Sequence, residues 1–200
     1  MTVRLFKFDR GGARGDHQPN AIDAENHMKN ALSADIAAPY CEIDDFIQAM
    51  GRAVTGVGIV ATDGPAGRFG ITVSSMASVS AHPPMLLVCL RADSPSAAAV
   101  EANGRFSLNL LHSAQAPLAD AFAGRPRSGN AYDFSDPAWR DEPCGLPRVS
   151  DASATFVCDL ESAQVAGSHL IVVGRVTSCY HEAQPPLLYC ARRYGAPTTL

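Results

Sequence analysis

GITVSSMASVSAHPPMLLVCL, residues 70–90, is the stretch whose reading decides the fold. It opens in alternation, with Ile71 and Val73 on one face and Thr72 and Ser74 on the other, the period of a β-strand. Small hydroxyl-bearing residues then lead to His82, Pro83 and Pro84. Two prolines cannot sit inside a central strand, so they mark the turn between two pieces of sheet. Residues 85–90 form an apolar run with the length and β-branched character of a buried strand. A hydroxyl-rich strand mouth followed by a core strand has two readings: an edge strand facing water, or a main chain presented to something polar.

The totals frame that stretch. A chain of 200 residues fits one domain with a core of its own, and 46% hydrophobic with 18% charged residues is a soluble globular balance. A net charge of -4 argues against nucleic acid as a partner, since no basic patch gathers phosphate contacts. No apolar run approaches the roughly 20 residues that span a bilayer, and residues 1–20 show no secretory leader. No membrane association and a cytoplasmic location are therefore expected. The six cysteines form no C-x-x-C pair, and Cys89, Cys158 and Cys190 lie in apolar runs where a thiol acts as a small hydrophobe. They are read as reduced. The histidines are scattered, so no metal site is expected.

Residues 1–40 are polar and aperiodic, an extra arm that is flexible or draped over a neighbouring subunit; residues 41–200 form the folded domain. Ile43, Phe46, Ile47 and Met50 share one helical face, with Asp44 and Asp45 at the favoured start and Gly51 at the stop. Residues 54–61 read as a strand returning through the turn at Asp63, Gly64, Pro65, Ala66 and Gly67. Gly56, Gly58 and Ala61 match the G-x-G-x-x-A dinucleotide fingerprint. That fingerprint works only between a strand and a helix, and here a helix precedes it and a hairpin follows, so it is set aside.

Beyond Leu90 the sequence predicts a helix with Ser94 as N-cap, Pro95 in its first turn and Gly104 at its end. Its start, with Ser94, Ser96 and nearby Arg91, suits a phosphate cradle, and equally suits ordinary capping. A strand over 105–111 and a helix over 114–123 follow, then a long loop over 125–148 with the only tryptophan, Trp139. Residues 154–166 and 169–181 are long strands joined by the two-residue turn Gly167-Ser168, and 187–191 make a last strand. Many antiparallel strands, few helices and one apolar set suggest a closed or nearly closed barrel.

With those pieces in order the chain resembles the flavin reductase family, the NAD(P)H:flavin oxidoreductases that serve two-component flavin monooxygenases. The segments carrying the resemblance are 49–62 (AMGRAVTGVGIVAT), 70–90, Ser94-Pro95-Ser96, 104–111 (GRFSLNLL), 122–124 (FAG), 167–176 (GSHLIVVGRV) and 186–195 (PLLYCARRYG). The resemblance implies a mainly β split barrel with a few short helices, working as a homodimer. It places Thr72, Val73, Ser74 and Ser75 at the flavin ring and ribityl chain, Cys89 and Leu90 at the strand end beside them, and Ser94 and Ser96, near Arg91, at the phosphate. Thr55 and Asn109, inside matched segments, join the expected cofactor contacts. His169 matches the histidine of a G-D-H motif on the nicotinamide side, the expected catalytic position; the motif's aspartate is Ser168 here. A barrel-mouth histidine satisfied by backbone is the other reading. Tyr194 is expected over the flavin or pyridine ring, and Arg192 or Arg193 at a phosphate.

The implied chemistry is hydride transfer from NADH or NADPH to FMN or FAD, with a flavin-dependent monooxygenase as the receiving partner. Stacking the two rings within about 3.5 Å is the protein's main task, with backbone amides near Val73 to Ser75 stabilising negative charge. Other outcomes left open are a different acceptor such as a corrinoid, a flavin-binding protein without turnover, and a cofactor-free dimerisation barrel.

Overall fold

The structure, a computed structural model, describes residues 40–198. The expected arm lies outside the described residues, apart from Tyr40. The chain divides into units 1–43 and 44–200, and the second is the one described. In chain order the elements are α1 (Ile43–Met50), β1 (Thr55–Gly56), β2 (Gly58–Thr62), β3 (Phe69–Val73), β4 (Met76–Ala81), β5 (Pro84–Arg91) and α2 (Pro95–Asn103). They continue with β6 (Arg105–Leu110), α3 (Ala116–Phe122), β7 (Trp139–Asp141), β8 (Pro147–Val149), β9 (Ala154–Ala166), β10 (His169–His181), β11 (Leu188–Cys190) and β12 (Arg193–Gly195). Among the described residues, no helix is long and apolar enough to cross a membrane.

Seven strands form one antiparallel sheet in the order β3-β2-β6-β9-β10-β5-β4. Its two outer strands are consecutive in sequence, and that shapes the molecule. Laid flat, six spacings of ~4.8 Å would set β3 and β4 on the order of 29 Å apart. Only Ser74 and Ser75 connect them, a reach of roughly 11 Å. The sheet must therefore curl until its edges approach; the Cys89 N–H bond to the Ser75 carbonyl at 3.0 Å carries the β4–β5 pairing one step into that connection. β3 and β4 share no ladder, so the barrel is split rather than closed.

The curled sheet has an inside and an outside, and β2 is buried on both. Val60 faces the interior with Val73, Val88, Leu90, Phe106 and Val172, which Ala97 and Val100 of α2 join. Ile59 and Ala61 face an outer cluster with Leu118 and Phe122 of α3, Trp139 and Leu187. Two covered faces explain why this strand reads as a continuous apolar run. Each fully buried Phe, Leu or Val contributes about 1.5–3 kcal/mol. Gly174 lies where β10 crosses this core: a Cβ there would stand 2.6 Å from the Phe106 ring and 2.8 Å from Cys158 Cβ. Cys158 is wholly buried, which pushes its thiol up to about 12.

Several expectations need correcting. The expected strand over 54–61 divides at Val57, and its first part pairs with β11 in a separate three-stranded sheet. The hydroxyl-rich run between Ser75 and His82 is itself a strand, and Pro84 already opens β5. Pro84 is tolerated at a strand's first residue, where no ladder donor is needed. The helix expected over 114–123 begins as a 3₁₀ turn, Ser113–Gln115, before α3. The loop over 125–148 contains the β7–β8 hairpin. Ser94 caps α2 and Gly104 ends it in the left-handed conformation (φ 67°), and β9 and β10 run over 154–166 and 169–181 as read.

Candidate functional site

The closing seam of the barrel makes the site. Where β3 ends and β5 ends, a cleft of about 310 Å³ opens. Thr72, Val73, Ser74 and Ser75 line one side of it and Cys89, Leu90 and Arg91 another, with His169 at one end. His169 arrives because β10 pairs with β5 in a register that sets His169 opposite Arg91 and Leu170 opposite Leu90. Ser74 and Ser75 belong to neither flanking strand. Their main chain therefore faces the cleft without ladder partners, apart from the Ser75 carbonyl already bound by Cys89. Val73 and Leu90, both buried, give the cleft an uncharged floor.

Most hydroxyls around the cleft are already committed. Thr72 Oγ1 donates to the Ala119 carbonyl at 2.8 Å, tying β3 to α3. Ser94 Oγ donates to the Arg91 carbonyl at 2.8 Å and accepts from the Ala97 N–H at 3.2 Å. Ser96 is buried and donates to the Gly70 carbonyl at 3.1 Å. Ser94 and Ser96 line a neighbouring pocket rather than the cleft. Both readings of the helix start thus meet here: the side chains cap and tether, and the Ser96 amide is the first-turn donor the cap leaves over.

Charge sits at the rim. Arg91 grips Asp93 through two bonds, Nε to Oδ1 at 3.0 Å and Nη2 to Oδ2 at 2.6 Å. That hydrogen-bonded guanidinium holds the Asp93 carboxyl below the usual carboxylate range. Arg91, Asp93, Ser168 and His169 border a further concavity contiguous with the cleft. Ser168 Oγ lies 3.0 Å from His169 Nδ1, a neutral partner for the ring.

Besides Ser94 and Ser96, four expectations fall outside the cleft. Asn109 is fully buried in β6, and its side chain is used up: Nδ2 donates to the Ile59 carbonyl and Ser107 Oγ, while Oδ1 accepts from the Val149 N–H and Thr155 Oγ1. It ties strands together and has no capacity left for a cofactor. Thr55 belongs to the small sheet, its hydroxyl 3.5 Å from the Tyr189 carbonyl. Tyr194 packs at a tilt of 58° against Tyr189 and donates to Asp120 at 2.9 Å; burial, and then that bond, push its phenol up to about 12. Arg192 borders a different hollow beside α1, and Arg193 of β12 pairs with Cys190 of β11.

The cleft also holds residues that sequence reading passed over. Phe122, Ala123 and Tyr132 complete its wall. Tyr132 takes a left-handed backbone (φ 59°) and stands edge-on to Phe122. Phe134 and Trp139 pack on the same ring, with centroids 4.9 and 5.0 Å from Phe122. Three aromatics within eight residues, inside a stretch otherwise rich in Pro, Gly, Asp and Asn, were the available signal of a packed wall.

Residues 50–198 match the family described as the flavin reductase like domain. The chain is similar to the FMN reductase (NADH) RutF of Variovorax paradoxus, with 35% identity over 177 residues covering 88% of this chain and 94% of that protein. Among solved structures it resembles the styrene monooxygenase flavin reductase of Pseudomonas putida (TM-score 0.67, 30% identity, 78% of this chain and 99% of that one). It also resembles BorF, the flavin reductase component of a bacterial two-component tryptophan halogenase (TM-score 0.70, 28% identity, 78% and 98% covered).

Proposed function

Because this chain belongs to the flavin reductase like domain family, we propose that it is an oxidoreductase that reduces flavin with NADH and passes the reduced flavin to a partner oxygenase. The observation carrying this reading is the convergence of Thr72 to Ser75, Cys89 to Arg91 and His169 on one cleft. The residues present fit a flavin: an apolar floor for a flat ring, free main-chain groups at Ser74 and Ser75 for its polar edge, and an amide at the start of α2 for its phosphate.

When bound, the flavin supplies the hydride-accepting chemistry. The chain's own work is positioning. Val73 and Leu90 wall the ring slot and keep water from it. Ser74 and Ser75 offer amide N–H groups to negative charge, held by a seam that is already formed and needs no reorganisation. His169, oriented by Ser168, borders the side from which a nicotinamide would approach. Arg91 can leave Asp93 to meet a phosphate, since both side chains are about two-thirds exposed (67% and 69%).

The oxygenase partner is supported by the likeness to the flavin reductases of a styrene monooxygenase and a two-component tryptophan halogenase. A second copy of this chain is the proposed cover for the apolar residues that α1 and its neighbour leave exposed: Phe46 (58%), Met50 (54%) and Val54 (61%). The proposal is tested by anaerobic mixing of the purified protein with NADH and FMN. FMN-dependent NADH oxidation is expected, with kcat/KM for NADH about tenfold lower in His169→Ala. Absence of flavin-dependent NADH oxidation in the wild type would overturn it.

A further inference from the structure

The cleft does not end at Tyr132. Beyond that side chain lies a second pocket of about 340 Å³, sharing Ile71 and Tyr132 with the first. Its walls are Phe69, Phe134, Tyr132 and Pro95, with Arg68 beside them. We propose that this side pocket takes the adenine ring of FAD, making FAD rather than FMN the preferred flavin. The inference rests on the flavin reading above and deepens it.

Arg68 decides what kind of ligand fits. Its Nε donates to Asp63 at 2.7 Å and its Nη2 pairs with Asp141 at 2.9 Å. Both carboxylates already hold the guanidinium, so it has no unpaired charge to offer, and a flavin phosphate at this rim would rest on the amide at the start of α2. The guanidinium is therefore no phosphate anchor. Its flat face remains, 5.8 Å above the Phe134 ring. Aromatic rings plus a fixed guanidinium plane suit an uncharged planar heterocycle, and a pocket of a few hundred Å³ has room for a bicyclic one.

The pocket is also preformed. Phe134 is wedged between Phe122 and Trp139, with centroids 4.9 and 4.7 Å away. A base stacking there orders little that is not already ordered. Adenine could come from FAD or from NADH. Position favours FAD, because Ser94 and Ser96 at the start of α2 rim the pocket, whereas His169 does not. A chain leaving the ring cleft toward that helix start would carry its adenosine past Tyr132.

The test is titration of the flavin-free protein with FMN and with FAD, read by flavin fluorescence, in the absence of NADH. FAD is expected to bind about tenfold more tightly than FMN, and adenosine to compete with FAD. Phe134→Leu, which keeps apolar bulk, and Arg68→Met, which keeps stem length, should each bring the ratio toward one; melting curves identify a variant that has not folded. Equal wild-type affinities for FAD and FMN would overturn the inference while leaving the flavin reading intact. So would variants that keep the FAD preference but raise KM for NADH, which would assign the pocket to the other adenine. Failure of both flavins to bind would overturn the two together.

Discussion

The ring cleft and the side pocket meet at Ile71 and Tyr132, yet they are made by different means. The cleft is built from main chain at a sheet seam, and its Thr72 hydroxyl is spent on the Ala119 carbonyl, tying β3 to α3. The side pocket is built from ring faces, Phe134 and Tyr132, braced by Phe122. A main-chain site is fixed by strand register and changes little with side-chain identity. A ring-walled site depends on a few side chains and on the space between them. Perturbations should therefore separate the two, the pocket failing first.

The strongest separation is expected at Gly70. A Cβ there would lie 2.9 Å from ring atoms of both Phe122 and Phe134. Those rings sit in the packed outer cluster and cannot swing clear, so Gly70→Ala should destabilise by about 1–3 kcal/mol. Phe122 walls the ring cleft and Phe134 the side pocket, so both flavins should weaken, FAD by more because its adenine alone would meet Phe134. Thermal melts with paired flavin titrations check this. A variant of wild-type stability, or one losing both flavins equally, would show that the two sites are one.

Legibility follows the same division. Ser94, Gly104 and the Gly167-Ser168 turn announce themselves, because capping and turn chemistry are local and act through neighbours in sequence. The cleft was legible in part: alternation in 70–73 shows a strand with Thr72 opposite Ile71 and Val73, while only the family resemblance brought Cys89, Leu90 and His169 to it. Asn109 was not. It sits in an alternating strand like any ligand residue, and its four partners come from β2, β6, β8 and β9. The wall of Tyr132 and Phe134 was hidden by polar neighbours that look like a loop. The Tyr194–Asp120 bond was not legible either, because the tyrosine's motif fixes a sequence position while Asp120 lies 74 residues away.

That Tyr194–Asp120 bond gives a smaller effect on the same architecture. Asp120 follows Ala119, whose carbonyl holds Thr72, so α3 is pinned from β12 on one side and β3 on the other. The phenol is raised to about 12, above the roughly 10 of an unfolded tyrosine. A raised value means the folded state holds the proton longer: the stabilisation is whole below about pH 10 and is lost as pH climbs toward 12. The group is only half-buried, so screening reduces its worth to about 1 kcal/mol. Tyr194→Phe should remove that part of the alkaline stability loss while leaving the FAD-to-FMN ratio unchanged, measured by denaturant unfolding across the alkaline range. A ratio that moved would make β12 part of the pocket's support.

The smallest effect is expected at the rim, where Arg91 and Asp93 are both mostly exposed. Exposed ion pairs contribute little, so Asp93→Asn should change stability by under about 0.5 kcal/mol. Its effect on ligands should be selective. Freed from a carboxylate that now holds its Nε and Nη2, Arg91 has an unneutralised charge for a flavin phosphate, and FMN and FAD should each tighten by roughly threefold at low salt. Riboflavin, which lacks the phosphate, is the control and should be unaffected. Since FMN and FAD share that first phosphate, their ratio should hold, which keeps the rim charge separate from the ring-walled pocket. Riboflavin tightening as much as FMN would instead mean that Arg91 meets the ring, and the charge would then belong to the cleft beside His169 rather than to the start of α2.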